Sequence, residues 1–191
     1  MVDQQVRARD MRADVAEILI TEEQIRSKVA ELGARIGADY SSTSVTLVSV
    51  LKGSLPFMAD LMRAIEIPVT IDLMEVSSYG GASTETSGLV RILKDLSSSI
   101  ADKDVLIVED IIDTGLTLNY LLRYLRGMNP RSLRICALLD KPARRLVEIN
   151  IDYLGFTIPD EFVVGYGLDF GEFYRNLPFI GVLRRELYET T

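Results

Sequence analysis

Residues 108–117 read VEDIIDTGLT and bring three carboxylates, Glu109, Asp110 and Asp113, close to the hydroxyls of Thr114 and Thr117 and a glycine, Gly115. Carboxylates accept hydrogen bonds, hold hard cations and move protons. The apolar run before them reads as a buried strand, and the pattern from 117 to 128 reads as a helix. The acids therefore sit where a strand ends, and the hydroxyls where a helix begins. A helix cap would account for Asp113 or Thr114. It would not account for Glu109 and Asp110, because carboxylates are depleted in strands and costly to bury unpaired.

Several chemistries can be weighed against this spacing. Asp-Thr-Gly turns of aspartic proteases face each other in pairs in all-β chains, whereas this one leads into a helix. The phosphate loop G-x-x-x-x-G-K-[ST] matches neither LKGS (51–54) nor this turn. A phosphoaspartate would need an exposed nucleophile, for which Asp113 alone is thin support. A ribose-phosphate cradle uses every part. Backbone N–H groups of residues 113–117 and the two threonine hydroxyls wrap a phosphate at the helix N-terminus, while Glu109 and Asp110 accept bonds from two sugar hydroxyls.

The rest of the composition narrows the field. The chain has 191 residues, 48% hydrophobic and 26% charged, which suits one soluble domain. It has no histidine, so Ser-His-Asp triads, Cys-His pairs and His-ligated zinc sites are excluded. Proton transfer falls to a carboxylate, lysine, tyrosine or water. The single Cys136 cannot form an internal disulfide and reads as core. A net charge of −7 argues against nucleic acid as the main partner, and no apolar run has membrane-spanning length. The expectation is a cytoplasmic protein with no membrane and no nucleic-acid partner.

The elements that must position the acids follow from periodicity. Strands are predicted at 15–20, 44–51, 69–78, 89–96, 105–110 and 132–140, with short strands in YLGFTI (153–158) and FVVGYG (162–167). Helices are predicted at 21–40, capped by Thr21, and at 54–65 and 117–128, the last closing at Gly127. Residues 1–12 read as a mobile tail on a single domain of 1–191. Alternating strands and helices imply an α/β fold, a mostly parallel sheet with helices on both faces. Ligands bind beyond the carboxyl ends of such strands, with the segment after 150 as a small lobe over them.

VLIVEDIIDTGLTL resembles the signature of the type I phosphoribosyltransferases, which bind phosphoribosyl pyrophosphate (PRPP). SVLKGSLPFMADL, SSYGG, ALLDKP and IPDEFVVGYGLDF with YRNLPFIGVL are similar to the 6-oxopurine branch, the hypoxanthine-guanine phosphoribosyltransferases; the likeness runs from about Val15 to Tyr188. The resemblance implies the type I phosphoribosyltransferase fold with a small hood lobe from the C-terminal and N-terminal segments. It also implies magnesium-dependent transfer of phosphoribosyl from PRPP to hypoxanthine or guanine. Glu109, Asp110, Ile111, Ile112, Asp113, Thr114, Gly115, Leu116 and Thr117 would bind PRPP and nucleotide, with Asp113 the general base. Lys52, Gly53 and Arg175 would contact pyrophosphate. Lys141, Phe162, Val163 and Asp169 would form the purine pocket, Lys141 donating to the 6-oxo group. Glu109, Asp110 and Asp169 would attend the Mg2+, and Ser78 and Tyr79 would belong to a lid in the Gly/Ser/Thr-rich stretch 77–88.

Some relatives carry lysine at the position of Leu116, so phosphate binding here should lean on backbone amides. A dimer or tetramer is implied. The alternatives are a PRPP-binding regulator of the same fold that binds RNA, and a xanthine or adenine phosphoribosyltransferase.

Overall fold

The run 105–108 is buried because it lies between two helical layers, as a computed structural model of the chain shows. The structure describes residues 10–78 and 90–189. Its elements are β1 (Val15–Ile20), α1 (Glu22–Asp39), β2 (Val45–Leu51), α2 (Leu55–Ala64), β3 (Val69–Ser78), β4 (Val90–Lys94), β5 (Asp104–Ile112), α3 (Leu116–Arg126), β6 (Ser132–Asp140), β7 (Tyr153–Thr157), β8 (Val163–Val164) and β9 (Ile180–Leu183). Six strands form the main sheet in the order β4-β3-β2-β5-β6-β7. Neighbours are parallel except at the edge, where β4 runs antiparallel to β3.

Strand alternation assigns β5 to both layers. Leu106 and Val108 pack with Ile25, Leu32, Phe57 and Leu61 of α1 and α2. Val105 and Ile107 pack on the other face with Leu118, Leu121, Leu122 and Leu125 of α3. A strand covered on both sides has no polar face to show, hence its unbroken apolar sequence. Helix α1 starts as expected. Gln24 N donates to Thr21 Oγ1 at 3.2 Å, Thr21 N donates back to Gln24 Oε1 at 2.8 Å, and Glu22 and Glu23 lie in the first turn.

The remaining strands stand apart from the main sheet. Strand β1 leaves the main sheet and joins a three-stranded one, β1-β9-β8, in which β9 pairs antiparallel with both neighbours. The hood is therefore built from both ends of the chain, as the resemblance implies, around Val164, Tyr174, Leu177, Phe179 and Leu183, with Met11 and Val15 against them. Strand β9 itself was not foreseen. The expected tail of 1–12 also ends sooner. Residues 1–9 lie outside the described ones, but 10–12 enter a turn where the Arg12 guanidinium stands 5.0 Å from the centre of the Phe179 ring. Within the stretch 162–167 only Val163–Val164 is strand.

Candidate active site at the carboxyl ends of the strands

Helix α3 begins without a side-chain cap. Its N-cap is Gly115 at φ +80°, and neither Asp113 nor Thr114 caps it, which removes the simplest explanation of the turn. A left-handed backbone suits glycine, and a Cβ here would come within 2.7 Å of Ile149 Cδ1 on the packed side. With no side chain on the N-cap, the first-turn N–H groups after Leu116 remain available to an anion. A hollow of about 180 Å³ opens there, lined by Glu109, Asp113, Thr114, Gly115 and Thr117. Leu116 is the first residue of α3, and its N–H donates to Thr114 Oγ1 at 3.4 Å.

Beside it lies a larger cleft of about 740 Å³, lined among others by Lys52, Gly53, Asp110, Asp113, Lys141, Phe162, Val163, Asp169 and Arg175. Ile111 and Asp113 line both hollows, and Ile112, though packed under α3, also lines the small one. Most of the residues singled out by sequence thus converge on one place. Tyr79 lies outside the described residues, and of Ser78 only the backbone, at the end of β3, is described.

Glu109 and Asp110 are not side by side. Glu109 enters the small hollow with Thr117, and Asp110 enters the large one against Gly53, because successive strand residues face opposite ways. The expected set of Glu109, Asp110 and Asp169 therefore does not form a ready-made metal cluster. Among the described residues, no three such side chains come together to hold an ion. Burial pushes the Glu109 carboxyl well above the usual range, and the Asp110 charge adds to it. Burial also raises Asp110, to about 6, against the pull of backbone N–H groups and of Arg175, while Asp169 pushes the same way as burial.

The hood meets the sheet through glycines. A Cβ on Gly53 would fall 1.8 Å from Asp110 Oδ2, and one on Gly167 would fall 1.9 Å from the Gly53 carbonyl oxygen. Two bare backbones therefore bring the hood down onto Asp110.

The cations of the cleft are already partnered. Lys52 Nζ donates to Glu172 Oε2 at 3.0 Å, and the peptide before it, Leu51–Lys52, is cis. Arg175 donates to the Gly167 carbonyl at 2.8 Å and lies 2.9 Å from Asp169 and 3.4 Å from Glu172. Lys141 is buried, donates to the Glu161 carbonyl at 2.8 Å, and stands 3.7 Å from Asp160. Phe162 forms part of the wall and stacks on Tyr188, centroids 4.9 Å apart at 26°.

Sequence reasoning missed Arg144, whose Nε lies 3.1 Å from Asp113 Oδ1, and Tyr188. Arg144 follows Lys141 by three residues within KPARR and carries no motif of its own. Gly167 could have been noticed, since its φ of +102° explains the second glycine of VVGYG.

Comparison with known proteins gives concordant findings. The model of the phosphoribosyl transferase domain matches residues 16–171. The chain is 52% identical over 180 residues to a hypoxanthine-guanine phosphoribosyltransferase of Bacillus subtilis, covering 94% of this chain and 99% of the relative. A crystal structure of a hypoxanthine phosphoribosyltransferase from Staphylococcus aureus superposes with a TM-score of 0.92 at 50% identity, covering 96% of this chain and 99% of that one. A point mutant of the Trypanosoma cruzi hypoxanthine phosphoribosyltransferase, in a ternary substrates complex, gives a TM-score of 0.87 at 45% identity, covering 93% of this chain and 100% of that one.

Proposed function

This chain belongs to the phosphoribosyl transferase family, and from that premise we propose that it transfers phosphoribosyl from PRPP to hypoxanthine or guanine, giving IMP or GMP and pyrophosphate. The observation that carries the 6-oxopurine reading is the position of Lys141. A buried ammonium lines the same cleft as Asp113, next to an uncapped helix N-terminus. An ammonium has no acceptor, so it favours a 6-oxo over a 6-amino purine.

The uncapped turn at Gly115 takes the 5′-phosphate through its amides and threonine hydroxyls. Glu109 and Asp110 approach the ribose from the two faces of the sheet. Phe162 and Tyr188 wall the purine. The purine nitrogen bonds to the anomeric carbon as the carbon–oxygen bond to pyrophosphate breaks. The ring proton passes to Asp113, the acid left free of the ribose. Lys52 and Arg175 turn from their acidic partners to the departing pyrophosphate.

A divalent cation fits this cleft. Asp110 and Asp169 supply hard oxygens, and two carboxylates completed by substrate phosphates and water are what Mg2+ accepts. The ion would supply charge neutralisation on the leaving group.

No helix among the described residues is long and apolar enough to cross a membrane. The cytoplasm, a homo-oligomeric state and the absence of a nucleic-acid partner complete the reading. The test is incubation with PRPP, magnesium and each base. IMP from hypoxanthine and GMP from guanine are expected, and no nucleotide from either would overturn the function.

A further inference from the structure

We propose that Arg144 positions Asp113 for proton transfer, an inference that rests on Asp113 being the base. Two backbone bonds fasten the segment after β6 to the end of β5. Lys141 N donates to the Ile112 carbonyl and Leu146 N to the Thr114 carbonyl, both at 3.0 Å. These rungs bracket Asp113 and set the turn Pro142–Arg144 opposite it. Arg144 Nε then stands 3.1 Å from Asp113 Oδ1. That oxygen is shielded from solvent and accepts no aligned hydrogen bond, so the contact is one of charge and not of direction. Among the described residues, no other cation pairs with Asp113.

The physical consequence concerns the carboxylate's rotation. The terminal torsion of an aspartate is broad and roughly two-fold, so an untethered Asp113 would spread its oxygens over many directions. With Oδ1 turned toward the guanidinium, Oδ2 is the oxygen left to receive the purine ring proton. The cleft also holds Asp110, Asp160, Glu161, Asp169 and Glu189, so a fixed positive charge keeps the base beside Arg144 and not in solvent. Both partners are about half exposed, at 48% and 42%, which leaves room for the purine to enter without displacing either. A base oriented by a third group is a recurrent arrangement in catalysis.

The experiment is a double-mutant cycle of Arg144→Met and Asp113→Asn, reading kcat and both KM values at saturating magnesium, with the fold checked by circular dichroism. Arg144→Met should lower kcat about tenfold, a fraction of the ~10²–10⁴ that a general base contributes, with KM for PRPP within about twofold. Arg144→Lys should recover most of the loss. In the Asp113→Asn background Arg144→Met should cost nothing further. Arg144→Gln, which keeps length and polarity, stands in should the methionine variant not fold. An unchanged or raised kcat in Arg144→Met, or the same tenfold loss persisting in the Asp113→Asn background, would overturn the inference. A full kcat in Asp113→Asn alone would instead remove the base assignment on which it stands.

Discussion

The turn after β5 and the hood that faces it hold the two halves of the site in opposite states. In the turn the binding groups belong to the backbone, and the helix start is left uncapped at Gly115. Only the long bond from the Leu116 N–H to Thr114 Oγ1, at 3.4 Å, has to give way to a phosphate. Across the cleft the binding groups are long cationic side chains, each engaged with an acid of the hood: Lys52, from the turn after β2, with Glu172, and Arg175 with Asp169 and Glu172. A preorganised site binds without an ordering cost, whereas these cations must exchange a carboxylate for a phosphate. On the proposed function, the turn therefore serves affinity, and Lys52 and Arg175 respond to charge that appears only as pyrophosphate leaves.

The largest effect that would break this comparison is at Asp113. Asp113→Asn preserves shape but removes the base, so kcat should fall ~10²–10⁴-fold, with KM for PRPP changed only a few-fold because the amides still hold the phosphate. Steady-state kinetics with both substrates separates these terms. A rise in KM for PRPP as large as the fall in kcat would mean that the turn's binding is not independent of its acid.

Arg175→Ala probes the other half. It removes a charged contact to the leaving group and leaves Asp169 without its 2.9 Å partner. A fall in kcat/KM for PRPP of about a hundredfold is expected, at the upper end of the 1.5–3 kcal/mol that a charged hydrogen bond contributes. Wild-type kinetics in saturating magnesium would make Arg175 a structural clasp of the hood. Lys141→Gln should raise KM for hypoxanthine and guanine about ten- to a hundredfold, with little change for PRPP, and equal changes for both substrates would remove its purine-reading role.

The smallest effect is on pH, where the two halves have opposite signs. Asp110 titrates near 6 in the folded chain, above its ordinary 3.8, so the folded state holds the extra proton. Its contribution to stability is present at low pH and declines as pH rises through 6, and the raised Glu109 acts in the same direction. Glu172 is lowered by its bond to Lys52, so its contribution is present at higher pH and is lost as pH falls. Denaturant midpoints measured between about pH 4 and 8 should show Asp110→Asn flattening the decline toward neutrality, while Glu172→Gln leaves that limb in place. An unchanged limb in Asp110→Asn would contradict the buried character of the strand-end acid.

Much of this was legible in the sequence where local pattern and tertiary demand agree. Strand β5 reads as buried on both faces because it is, and the capping box at Thr21 depends only on Gln24. Strand β1 was legible as a strand and the resemblance put the N-terminal segment in the hood, but its pairing was not legible, because its partner β9 lies at the far end of the chain. Strand β9 escaped because Ile180–Leu183 is only 4 residues long and apolar throughout, with no alternation to mark it. At the site, the residue types pointed to a cradle, which remains a proposal, and alternation across the sheet sends Glu109 and Asp110 into different hollows. The Arg144–Asp113 pair came from two backbone rungs that no local pattern encodes.

The measurement closest to the central claim is pyrophosphate release by the wild-type protein with PRPP and magnesium, run with hypoxanthine, guanine, adenine and no purine. The expected result is release matched one for one by nucleotide with the two 6-oxopurines, and background release with adenine or no base. Turnover of adenine at the rate of hypoxanthine, or release that needs no purine, would contradict the account.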